Sequence, residues 1–207
     1  MHARIGGWCA VTLLGAAMFA CSLGGRQIAV AQDSAPAGVI PEAALCQAEP
    51  RTVDELVALF AAATPAATDA PDSVEIPTGQ TASSVLADGI TATVHEAFAC
   101  LNGGDWLRFL GLLTDDAILM AFPWLGDELA MGVVPNELTT PAPLTEEYRQ
   151  TVVAVADVRT VGNDRAGAFV VYLDPSSGSP GPHAMHLVLV RSGDDWLIDA
   201  VVDFSDE

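Results

Sequence analysis

Residues 151–204, TVVAVADVRTVGNDRAGAFVVYLDPSSGSPGPHAMHLVLVRSGDDWLIDAVVDF, carry the decision about the fold. Four runs rich in Val, Leu and Phe, at 151–161, 166–173, 183–191 and 196–204, are separated by Gly162-Asn163-Asp164, residues 175–182 and Ser192-Gly193-Asp194. Such runs suit a pleated surface, and the short Gly/Asn/Asp/Ser clusters between them suit hairpin turns. The block therefore predicts an antiparallel meander.

Before that block the period is helical. In 85–102, Leu86, Ile90, Val94, Ala97, Phe98 and Leu101 share one face, and Gly103-Gly104 supplies a stop. Asp105 is placed to cap a second short helix over 106–113, after which the turn Thr114-Asp115-Asp116 is expected to feed a strand over 117–122. Pro123, Pro135, Pro141 and Pro143 interrupt the next stretch, and 144–150 suggests another short helix. Helices first and strands afterwards give an α+β domain over 85–207, with the long helix across the sheet. Upstream, Thr52 and Glu55 are spaced as a capping box for a short amphipathic helix over 52–63, which carries Val53, Leu56, Val57 and Phe60. A Pro/Ala-rich stretch, 61–84, reads as an extended linker, and 32–49 as a loose lead-in, so that 32–84 forms an N-terminal extension.

The first 31 residues are laid out as a secretory signal: His2 and Arg4, an apolar run from Trp8 to Leu23, then Ala29-Val30-Ala31 as a small-x-small site, with cleavage expected after Ala31. The run is interrupted by glycine and shorter than the ~20 residues that span a bilayer, so no stable span is expected after cleavage; an uncleaved anchor and lipidation at Cys21 are the alternatives. The expected address is extracellular or cell-envelope. A formal charge of -19, from 27 acidic residues against 8 basic ones, excludes nucleic acid as a partner, because its affinity comes from cationic side chains that displace counterions. Removal of the leader takes away Arg4 and Arg26 and leaves the rest still more acidic. It also takes Cys9 and Cys21; the remaining pair, Cys46 and Cys100, is expected to form a disulfide in an oxidising compartment.

The order of these elements carries a resemblance. AFACLNGGDWLRFLGLLTDDAILMAF at 97–122, followed by a block ending in GDDWLIDAVVDF at 193–204, resembles the nuclear-transport-factor-two-like superfamily, including its SnoaL-like and ketosteroid-isomerase-like branches. The resemblance covers about 85–204. It implies a cone of curved antiparallel sheet closed by the long helix, with an internal pocket and sheet-mediated homodimers. Carried over residue by residue, it sets Ala97 where the isomerase branch has a carbonyl-polarising tyrosine and Ala121 where it has a proton-shuttling aspartate. A methyl group can neither donate nor transfer a proton, so that chemistry is not expected. The pocket would be lined by Ala97, Leu101, Met120, Phe122, Trp124 and His186, with His186 at the position of the buried acid.

His186 is the candidate acid, base or ligand-orienting donor, against the plainer reading of a strand histidine satisfied by a neighbour. His183 and His186, three apart on a strand, point to opposite faces and do not suggest a metal site; no motif calls for a cofactor. Asp157, Asp199 and Asp203 are strand carboxylates that either serve as a base or lie on a solvated face, Asp115 and Asp116 shape a turn, and Met131 belongs with Met120, Phe122 and Trp124 near a pocket mouth. The leading expectation is an exported domain that binds a small apolar molecule or a partner, without a complete catalytic constellation. A SnoaL-like cyclase, isomerase or hydratase using His186 with a strand aspartate is the alternative, and a purely structural interaction module the third.

Overall fold

The computed structural model describes residues 38–63, 74–179 and 181–204; the expected leader and cleavage site lie outside them. The chain is α+β, with helices first and then a five-stranded antiparallel sheet that is neither closed nor strongly curled.

Helix α1, Val53–Ala62, starts at the expected capping box: the Thr52 amide donates to Glu55 Oε2 at 2.7 Å and the Glu55 amide to Thr52 Oγ1 at 3.2 Å. The backbone bond from Thr52, and after it the Thr52 hydroxyl donating to the same Oε2 at 3.0 Å, favour the charged carboxylate and hold Glu55 below its ordinary pKa. Leu56 is fully buried, and the Phe60 ring lies over Gly126, where an added Cβ would come within 2.5 Å of it. Helix α2, Ser84–Gly103, begins at Ser83 and ends at Gly104 in the left-handed conformation that glycine tolerates, φ 62°. Its buried face includes Ile90, Val94, Ala97 and Phe98. Asp105 caps α3, Trp106–Gly111, by accepting from the Arg108 amide.

From this point the chain departs from expectation. Residues 115–121 form helix α4, Asp115–Ala121, where a strand over 117–122 was predicted from the sequence. Thr114 Oγ1 accepts from the Ala117 amide at 3.1 Å, and Asp115 and Asp116 stand at the positive end of the helix, so the supposed turn into a strand is a helix start. The interruption after Pro123 is likewise two helices, α5, Pro123–Ala130, and α6, Asn136–Thr139; proline at the first helical position initiates rather than breaks. The helix expected over 144–150 shrinks to a 3₁₀ turn, Glu146–Tyr148.

The sheet runs in the order β1 (Gln80–Thr81), β2 (Thr151–Val161), β3 (Arg165–Leu173), β4 (His183–Ser192) and β5 (Asp195–Asp203), so the predicted four-strand meander gains a short fifth strand on its β2 edge. Register settles which residue faces which way. Ala166 pairs with Leu189 and Ala168 with Leu187, and these residues join the core beneath α2. Gly167 pairs with Val188 and Phe169 with His186, on the opposite face.

That second face is covered by residues 74–79, the end of the supposed linker. Pro77 is buried there, and a Cβ on Gly167 would lie 3.1 Å from Pro77 Cδ. This strap packs on the sheet before entering β1; residues 64–73 lie outside the described residues. The lead-in is not loose over 38–49 either: Val39 exchanges backbone hydrogen bonds with Val152, and the 3₁₀ turn Ala43–Leu45 precedes Cys46, which is bonded to Cys100 as expected, with Cα atoms 4.7 Å apart. The buried Asn102 side chain ties these parts together, donating to Pro41 O and Gln150 O and accepting from the Gln150 amide at 2.8 Å.

Candidate functional site

The candidate pocket residues fall into three places. Ala97 is buried in the core under the sheet and Leu101 is half-buried near it on α2. His186 is on the other face of the sheet, under the strap. Met120 and Phe122, with Ala121 between them, sit at the C-terminal end of α4, and Trp124 opens α5 with half its surface exposed.

His186 has the environment of a strand residue squeezed between layers. A Cβ on Gly167 would lie 2.6 Å from its Nε2, so the bare glycine backbone is what leaves room for the ring. Nε2 is buried and has no hydrogen-bond partner among the described residues. Burial holds the imidazole below its ordinary pKa, and the negative charge of Asp157 opposes that shift in part. Asp157 itself is exposed and paired with Arg159 at 2.7 Å. His183 is on the opposite face from His186: its Nε2 is 2.8 Å from Ser177 Oγ, and its ring stacks on Tyr172. Asp203 is exposed near the end of β5. Asp115 is paired with Arg51 at 2.8 Å, and Met131 is exposed after α5. Among the described residues no group of three or more His, Cys, Asp or Glu is placed to hold a metal ion, and no described helix is long and apolar enough to cross a membrane.

What the fold does assemble lies at the free edge of β5. Ile198 accepts from the Thr114 amide at 3.0 Å, and its own amide donates to Leu112 O at 2.8 Å, so the α3–α4 junction pairs with the strand edge. Beyond that contact α4 and β5 diverge around an apolar pocket of about 260 Å³, lined by Phe109, Leu113, Met120, Phe122, Ile198 and Ala200 and closed on one side by Val74 of the strap. Phe122 anchors the wall through edge-on contacts with Trp106, Phe109 and Trp124, each with ring centroids 6.4 Å apart. Of the six residues expected at the pocket, Met120 and Phe122 line this one; Ala121 lines it as well.

A second, more polar recess of about 460 Å³ shares Val74, Met120 and Ala200 with the pocket and adds Glu75, Asp116, Arg165 and Asp199. Asp199 is not merely solvated: the β4–β5 register slips between Val188 and Leu189, setting Asp199 at the irregularity, and its Oδ1 accepts from Thr114 Oγ1 at 3.0 Å. Val74, Arg165 and the Thr114–Asp199 link were missed at the sequence level. The alternation Val74-Glu75-Ile76-Pro77 was a signal for a packed segment, whereas nothing in the sequence announces a bond spanning 85 positions. A depression of similar size, about 480 Å³, over Leu45, His95 and Glu96 contains none of the expected site residues and has Glu96 already accepting from the Gln47 amide.

Compared with known proteins, the chain matches no family model, no curated protein and no solved structure.

Proposed function

We propose that this is an exported domain that binds a small apolar molecule between α4 and β5. The observation that carries the reading is the pocket itself: an apolar space of about 260 Å³ walled by an aromatic cluster, opening onto a recess with a few polar groups. A mostly apolar lining with sparse polar groups is the common form of a small-molecule site. The leader-like first 31 residues and the Cys46–Cys100 bridge support an oxidising location outside the cytoplasm.

The succession of long helix, glycine break, second helix and antiparallel strands supports the resemblance to nuclear-transport-factor-two-like proteins. Helix α4 in the place of a first strand, and the absence of strong curl, depart from it. The sheet-mediated homodimer that the resemblance suggests would use the strip near Phe169 and Phe204, whose rings are 6.3 Å apart, beside the strap.

The test is to fill the pocket. Ala121 lines it and is exposed, so Ala121→Trp adds bulk without opening the core. Nile red, a neutral apolar dye, is expected to bind the wild-type chain with enhanced fluorescence and to lose that signal in Ala121→Trp at unchanged Tm. Equal dye binding by both proteins would rule this pocket out as the site.

A further inference from the structure

Arg165 begins β3 on the strap side of the sheet, in step with Gly167. Among the described residues Arg51, Arg108, Arg149, Arg159 and Arg191 each face a carboxylate within 4.0 Å, and Arg165 does not. Its Nη2 donates to the Glu75 carbonyl at 3.4 Å, and its Nε is buried without a hydrogen-bond partner. A guanidinium has five N–H donors and no acceptor, so one long bond leaves most of that capacity unused. Acids are not lacking nearby, since Glu75, Asp116 and Asp199 line the same recess. None of their carboxylates comes within 4.0 Å of the guanidinium, and Asp199 is already bonded to Thr114.

Arg165 lines the polar recess where it runs into the apolar pocket, with Val74, Met120 and Ala200 common to both spaces; its Nε is buried away from solvent, so the Nη end is what can meet a bound molecule. We infer that the bound molecule has an apolar body and a neutral hydrogen-bond acceptor, a carbonyl or ester oxygen, at the end that meets Arg165. The inference rests on the pocket reading above. An oxygen acceptor is what the guanidinium lacks. A free carboxylate would supply one, but it would enter a recess whose three acids outnumber its single cation, in a chain of formal charge -19. An ammonium head would suit the acids and meet Arg165 with like charge. The neutral acceptor alone satisfies the donor without opposing either set of charges.

Three probes with the same tail separate these cases: methyl octanoate, octanoate and octylamine, each titrated calorimetrically into the full chain beside Nile red. Methyl octanoate is expected to bind about tenfold more tightly than octylamine, the effect of one hydrogen bond to a charged donor, and more tightly than octanoate, whose charge the three acids oppose. Arg165→Met is expected to remove the preference over octylamine, and to weaken octanoate further, while Nile red still binds. Asp116→Asn, at an exposed position, is expected to improve octanoate binding relative to methyl octanoate. Tightest binding by octanoate or by octylamine overturns the inference in favour of a carboxylate or an amine. Equal binding of all three, or no effect of Arg165→Met on the preference over octylamine, also overturns it but leaves the pocket reading intact. If neither Nile red nor any probe binds, the pocket reading fails and this inference falls with it.

Discussion

On the helix side of the sheet, Ile90, Val94 and Phe98 of α2 meet Ala166, Ala168, Leu187 and Leu189 in a continuous apolar layer. On the other side an extended strap crosses a face that includes Gly167, His186 and Val188, and Arg165 Nε and His186 Nε2 are buried there without partners among the described residues. A helix satisfies its own backbone and can offer a row of apolar side chains, whereas an extended segment must find partners for its backbone and covers with whatever side chains happen to point inward. One face is therefore closed by packing and the other by a cover that leaves polar atoms unmet, and the proposed ligand site opens along the margin of that cover.

The largest effects are expected on the helix side. The disulfide closes a separation of 54 residues, for which chain entropy gives about 4 kcal/mol, so Cys46→Ser/Cys100→Ser should lower stability by roughly that amount in urea unfolding. Leu189→Ala, at a fully buried position in the same layer, should cost about 3 kcal/mol. On the strap side Gly167→Ala pushes a methyl group against His186 and Pro77 and should cost about 2 kcal/mol, with hydrogen exchange quickening first in strap amides. If it costs more than Leu189→Ala, the contrast between the faces is wrong.

His186→Leu sharpens the contrast most finely, because it removes an unsatisfied buried donor or acceptor without removing bulk. At neutral pH it should raise stability by about 1 kcal/mol or leave it unchanged. Its pH signature has a definite sign. The folded state holds the imidazole below its ordinary pKa of 6.5, so the unfolded chain takes up the proton first as pH falls. The wild type should keep its full stability above 6.5 and lose part of it progressively below, until the folded state is protonated as well. His186→Leu should flatten that part of the curve; an unchanged slope would show that His186 does not control it.

The parts of the fold that could be read from the chain are those decided locally. Alternation and turn residues marked β2 to β5, the face of α2 followed from its period, and the caps at Thr52 and Asp105 lay next to the groups they bond. The Cys46–Cys100 pair followed from the count of cysteines left once the expected leader is set aside. Helix α4 was misread because Thr-Asp-Asp serves a turn and a helix start equally well, and the choice between them depends on whether Ala117 and Ile118 find a core to enter. The strap was misread because prolines and acids in 61–84 resemble a solvated linker, while the burial of Pro77 depends on a glycine 90 positions away. Most of the candidate site belongs to this second kind: Met120 and Phe122 were visible as apolar residues, but their meeting with Val74 and Arg165 is a product of tertiary structure alone.

The bridge between Cys46 and Cys100 also makes part of the chain a covalent ring, and α1, the strap and most of α2 lie on that ring. A protease that cuts any one peptide bond between these cysteines produces two pieces that stay joined, running as one species until a reductant separates them. A cut through the strap would thus release neither the strap nor α1, and the nicked molecule would keep both near the sheet at high effective concentration.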